Sequence, residues 1–250
     1  MGKKKKLKAN GNRKVEKPSG LLAIIISFLI VAAIYTQLDI TPDMANLYDD
    51  LGFLQENIQK FHVNTFIWLA NAILIIIFGP FVLITFLPHG RSSSYIAAFL
   101  ISATGITYLL YAGTGFSMIY IVRELYENSS NNSQVLIPVA LYILLTKANL
   151  QLISYTLTGV SAIILGLLVA RTGYLPRFIG WMAIIGGLIY TTYCWISLES
   201  LVFTAGRIFI ILSLLFFGSF LLLRGTIDKR KITSLQLDSG TSNHQSEISN

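Results

Sequence analysis

Four charged residues, Arg123, Glu124, Glu199 and Arg207, stand at the ends of long apolar runs. Two acids and two bases at a membrane boundary can pair into a network that closes a helix bundle. They can also hold a charged head group or ligand, or simply face interfacial water. A second group is a set of hydroxyls, Thr104, Tyr108, Tyr111 and Thr114, whose steps of 4 and 3 put them near one helix face. Such a face can border a cavity for a small polar or aromatic ligand, with Tyr108 and Tyr111 as its aromatic contacts. The same hydroxyls also serve structure alone, bonding across helices or back to their own backbone.

Residues for bond-breaking chemistry are scarce. Intramembrane hydrolysis needs His, Asp or Glu inside the apolar runs. His62, His89 and His244 fall in a loop, a turn and a tail, and no aspartate lies within a run. Gly159-Val160-Ser161 faintly resembles a serine-nucleophile elbow, but it sits in mid-run with no histidine to activate it. Haem needs an axial ligand that the runs do not offer. There is no zinc-protease motif and no phosphate-binding glycine loop. The expectation is a protein that is not an enzyme, with no catalytic residue, metal or cofactor.

These candidates must be positioned by elements that live in lipid. Of 250 residues 54% are hydrophobic and 12% charged, against about 25% charged in a soluble domain. The net charge of +7 comes from basic residues in runs outside the apolar segments. That arrangement excludes a nucleic-acid binder, whose basic patch lies on a folded polar domain. The lone Cys194 permits no disulfide within the chain.

The expected fold class is all-α: a polytopic membrane protein, a six-span bundle with a small helical extracytoplasmic cap. The spans fall at about 20–36, 65–87, 94–122, 150–171, 177–198 and 207–224 within a membrane domain of 20–225. Disordered tails are expected at 1–19 and 226–250. Between the first two spans, Leu47, Leu51, Leu54, Ile58 and Phe61 make one apolar stripe on an outer amphipathic helix of about 42–62, started by Thr41-Pro42. Running the third span on to Tyr126 makes it too long for one crossing, so it tilts or projects. Segment 135–147 either prolongs the fourth span outward past Lys147 or lies as a separate interfacial helix, with Pro138 suited to a first turn. Gly79-Pro80 predicts a kink in the second span, where Asn71 is a polar residue suited to a neighbouring helix. The recurring glycines, Gly159, Gly166, Gly180 and Gly187 among them, fit close helix packing better than unwound helix at a solute site. Asn128-Ser-Ser and Asn131-Asn-Ser match the glycan acceptor pattern on the outer side.

Six spans place both termini on one face. All but four of the 19 basic residues then share that face, the exceptions being Lys60, Arg123, Lys147 and Arg207. The positive-inside rule puts that face in the cytoplasm. The chain is therefore expected as a multi-pass protein of the cytoplasmic membrane, with Lys3, Lys4, Lys5 and Lys6 touching anionic lipid head groups.

The segment Arg171-Thr-Gly-Tyr-Leu-Pro-Arg-Phe-Ile-Gly-Trp-Met-Ala-Ile-Ile-Gly-Gly187 joins two apolar runs by a short basic turn. It resembles the signature of a family of uncharacterised bacterial and archaeal six-span membrane proteins, a domain of unknown function with a tyrosine, Pro-Arg and a glycine-rich span. The resemblance implies a fold and a location and transfers no activity. Two function classes follow from the residues. One is a non-enzymatic protein that binds a lipid, ligand or partner in a sensing, scaffolding or assembly role, with a protein partner at the cap that would be lost when Leu51 and Leu54 are charged. The other is a small-solute transporter using the third, fifth and sixth spans.

Overall fold

The computed structural model describes residues 2–37, 47–127 and 133–246, with side chains described for 15–37, 49–126 and 135–224. Among the described residues there are seven helices and no strand: α1 (Gly2–Thr36), α2 (Leu47–Glu56), α3 (Ile58–Phe86), α4 (Arg91–Glu127), α5 (Ser133–Thr172), α6 (Arg177–Tyr193) and α7 (Leu201–Ser246). Segments Val15–Thr36, Ile58–Phe86, Arg91–Tyr126, Val135–Thr172 and Leu201–Arg224 are each long and apolar enough to cross a membrane. Helices so apolar expose leucine, isoleucine and phenylalanine side chains on the outside of the bundle, Phe28, Phe99 and Leu201 among them. A water-soluble bundle would hide them. The chain is an all-α membrane protein.

Six of the helices form a closed ring. Each packs on two others in the order α1, α3, α4, α5, α6, α7 and back to α1, while α2 lies on α3 and α4. Glycines bring the backbones together. A Cβ on Gly166 would lie 2.6 Å from the Gly180 carbonyl, and one on Gly187 would lie 2.5 Å from the Gly159 carbonyl. The same kind of contact joins Gly218 to Gly20, where the last helix closes on the first. These glycines pack continuous helices together, as the small-residue pattern predicts.

Several expected boundaries move. The fifth run, expected at 177–198, is helical only to Tyr193, and turns occupy 194–200. Segment 135–147 is no separate helix, because α5 runs unbroken through it from Ser133, which leaves Pro138 inside the helix beyond its first turn. Pro80 likewise lies within α3. The outer helix is broken at Asn57 into α2 and the start of α3. Its residues 42–46, with Thr41 and the acids Asp39 and Asp43, lie outside the described residues, as do Asn128 and Asn131. Helices α1 and α7 extend into the segments expected as tails, 1–19 and 226–250. Lysine is a good helix former, and a helix already started continues at low cost. The side chains of Lys3, Lys4, Lys5 and Lys6 are outside the described set.

The core has two parts. The larger fills the ring. The smaller gathers Leu51, Leu54, Phe61, Met118, Val122, Ala140 and Leu144 where α4 and α5 run past it. At 37 residues α4 is about 55 Å long at 1.5 Å per residue. This second cluster covers the extra turns. Leu51 and Leu54 are 1% and 0% exposed within it. A charge there would disrupt the chain's own packing before it reported on any partner.

Candidate functional site

A cavity of about 80 Å³ (space open to the centre of a water molecule) lies inside the ring and is lined by all six of its helices. About 10–15 Å³ by this measure is needed to hold one water, so this space admits something larger. Its lower wall is apolar, with Ile26, Ile75, Phe78, Ile101 and Leu214. Its upper wall carries Trp68, Tyr108, Tyr155, Tyr190 and Arg207.

The upper wall is built by helical spacing. Trp68 on α3 stacks on Tyr108 of α4 at 4.6 Å and 11°, and Tyr111, one turn on, meets the same indole edge-on at 5.9 Å. Tyr190 on α6 stacks on Phe203 of α7 at 4.6 Å, and Tyr155 of α5 leans against both. Arg207, one turn after Phe203, lays its guanidinium over the Phe203 ring at 4.8 Å and the Tyr155 ring at 5.7 Å. Aromatic faces attract a cation but do not neutralise it.

The donor of one hydroxyl pair is fixed. The Thr158 hydroxyl donates to the Ser154 carbonyl at 2.7 Å, so Tyr108, 3.0 Å from it, is the donor in that pair. Tyr190 neighbours Tyr108, and Arg207 neighbours Tyr190. By the same logic Thr104 donates to Leu100 at 2.8 Å and accepts from Ser161 at 2.9 Å. Gln151 donates to the Tyr155 hydroxyl at 2.9 Å. The Arg207 guanidinium carries five N–H groups and lines the cavity beside Tyr190. The Trp68 Nε1 hydrogen is buried away from that space, without an acceptor among the described residues. Nearby, Lys147 donates to the Tyr111 hydroxyl at 2.9 Å, with its Nζ 4.2 Å from the Tyr111 ring centre and 4.9 Å from that of Phe61. Asn71, fully buried on α3, has neither amide atom bonded.

The expected charged network does not gather around Arg207. Glu199 is exposed on the turn after α6, Arg123 is exposed near the end of α4 and Glu124 is half-buried beside it. Arg207 turns inward to the rings instead. Of the six sequence candidates the structure therefore gathers Arg207, Tyr108 and Tyr111, the first two on the cavity and the third one ring behind it. Ser161, the serine of the elbow-like triplet, is a partner of Thr104. Among the described residues no three His, Cys, Asp or Glu side chains converge as metal ligands do. Lys147, Gln151, Tyr155 and Thr158 are the residues that sequence reasoning passed over. Their steps of 4, 4 and 3 draw a polar stripe along an apolar helix, and that signal was present.

The opposite end of the ring is organised by Tyr174, in the turn between α5 and α6. Its hydroxyl donates to the Glu16 carboxylate, and Arg224 donates to its carbonyl while lying over its ring at 4.2 Å. Phe86 and His89 pack on the ring at 5.5 and 4.5 Å. Burial and the Arg224 guanidinium hold the His89 imidazole below its usual pKa, with Glu16 pulling weakly the other way. Ser19 and Thr85 meet just inside at 3.1 Å. All four chain segments that reach this end are tied to one another.

No curated protein and no solved structure is similar to the chain. The model of a domain of unknown function, DUF4386, matches residues 19–227, the whole ring from the start of the first apolar segment to the end of the last. With its closed ring, its inner cavity and that match over most of its length, the chain belongs to the DUF4386 family.

Proposed function

We propose a non-enzymatic, six-span protein of the cytoplasmic membrane that binds a small ligand in its central cavity, in a sensing or assembly role. The observation that carries the reading is the cavity itself. Tight bundles fill their axis, and here six helices surround a space with an apolar floor and a ring of aromatic and cationic groups above it. The sixth crossing is α6. Its 17 residues reach roughly 26 Å at 1.5 Å each, close to the hydrocarbon thickness of about 30 Å. Trp195, Ile196 and Leu198 in the following turn add apolar length. The basic end, with Arg91, Arg171, Arg177 and Arg224, lies in the cytoplasm by the positive-inside rule. Lys3, Lys4, Lys5 and Lys6 then meet anionic head groups. The second cluster forms the outer cap, where a protein partner would meet Phe53, which is 44% exposed.

The test is purification in mild detergent followed by mass spectrometry of what the protein releases. A small molecule in stoichiometric amount, absent from an Ala162→Phe variant that fills the cavity, is the expected result. An empty wild-type protein that takes up no apolar or amphipathic compound overturns the reading. Solute flux in proteoliposomes that Arg207→Gln abolishes would make the same cavity a transport site.

A further inference from the structure

We propose that the cavity selects a carboxylate carried on an apolar body, with the carboxylate held by Arg207. The proposal deepens the reading above and rests on the cavity being a ligand site.

The inference follows from which hydrogen-bonding groups are used and which are not. Tyr108 donates to Thr158 and Thr158 to the Ser154 carbonyl, so those acceptors are consumed from within. What remains at the cavity is donors. Arg207 lines it with N–H groups beyond any that faces Tyr190. A half-buried cation set among rings, with no anion beside it, has lost part of its hydration without compensation. Among the described residues the groups set around the guanidinium are phenol and phenyl rings, with no carboxylate among them. A ligand bringing another cation would be repelled. A neutral alcohol would accept weakly and bring one more donor into a site already rich in them. A carboxylate supplies two acceptor oxygens and the missing charge, and its planar shape matches the guanidinium fork. The apolar body then runs down the wall of Ile26, Phe78 and Leu214.

The probes are three ten-carbon chains, each with a photoactivatable diazirine in the tail: a carboxylate, the matching alcohol and the matching amine. They are added to the full chain in neutral detergent. Crosslinks are mapped by peptide mass spectrometry, and half-saturating concentrations are read from the cavity peptides. The carboxylate should label α1, α3 or α7 residues of the cavity saturably. The alcohol should need about tenfold more, one charge-assisted pair being lost, and the amine should label least. Arg207→Gln should raise the carboxylate's half-saturating concentration by about tenfold or more and leave the alcohol's unchanged, which also shows that the variant is folded. Arg207→Lys should recover only part of the loss, since an ammonium restores the charge but not the fork. Equal labelling by carboxylate and alcohol, or an Arg207→Gln variant that labels like wild type, overturns the carboxylate assignment and leaves the cavity a ligand site. Saturable cavity labelling by none of the three overturns both.

Discussion

The two ends of the helix ring use the same kinds of residue and finish differently. At the basic end an arginine, an acid, a histidine and a tyrosine meet one another. Arg224 lies over Tyr174, Tyr174 donates to Glu16, and His89 packs on the same ring. At the far end Arg207 lies over Phe203 and Tyr155 beside Tyr190, and no acid faces it among the described residues. The first arrangement closes on itself and ties four chain segments together. The second keeps donors in reserve around a space. Similar chemistry thus serves as a fastening in one place and as a receptor in the other. The difference lies in whether an acid stands at the same tyrosine as the arginine: Tyr174 joins Arg224 and Glu16, and Arg207 has no such bridge among the described residues.

Breaking the fastening should have the largest effect on stability. Tyr174→Ala removes a ring packed by three neighbours and a hydroxyl bonded to Glu16, and should cost about 2–3 kcal/mol. The loss would be read as a fall in melting temperature, with cavity labelling intact at temperatures where the variant is folded. A loss of labelling in the folded variant would mean that the two ends are coupled. A smaller contrast separates two asparagines on one helix. Asn64 donates to the Ala33 carbonyl at 2.7 Å and to the Thr36 hydroxyl at 2.9 Å. Asn64→Leu should destabilise by about 1–2 kcal/mol, because it deletes those bonds and strands the carbonyl. Asn71 bonds nothing among the described residues, so Asn71→Leu should be neutral or stabilising by about 1 kcal/mol. If Asn71→Leu destabilises as much as Asn64→Leu, Asn71 has a bound partner.

The smallest effect is a dependence on pH. Burial and Arg224 favour neutral His89 in the folded chain, so the unfolded chain takes up its proton first as pH falls below the ordinary histidine value of about 6.5. Stability from this group is complete above that value and declines below it. Melting temperature should fall as pH is lowered through that region, and His89→Gln should flatten the fall. A melting temperature that rises on acidification would show that Glu16 outweighs Arg224 at this site.

Much of this was legible from the chain alone, for physical reasons that can be named. The apolar runs had to be helices, because lipid leaves a backbone no other partner, and the glycines that recur along them had to face other helices. Tyr108, Tyr111 and Thr104 were legible as one face by their spacing. The inward turn of Arg207 was not. An arginine near the end of an apolar run reads as interfacial. Only the stacking of Phe203 on Tyr190, a contact between residues on different helices, shows that the first turn of α7 faces the axis. Lys147 was hidden for a related reason. The run ahead of it looked too short to cross, which left open whether it prolonged the fourth span past Lys147 or stood apart; α5 begins at Ser133 and takes it in. The closure of α1 on α7 through Gly20 and Gly218 joins the most distant helices in the chain, and no local pattern encodes it.

The contrast between the ends can be measured in one paired experiment. Arg207→Gln and Arg224→Gln are purified in parallel, and bound ligand per protein is compared with melting temperature. The account predicts that Arg207→Gln loses its ligand and melts close to wild-type protein stripped of ligand, while Arg224→Gln keeps its ligand and melts lower than wild type with ligand bound. Ligand and melting temperature falling together in both variants would contradict it, since neither arginine would then be distinguishable as receptor or fastening.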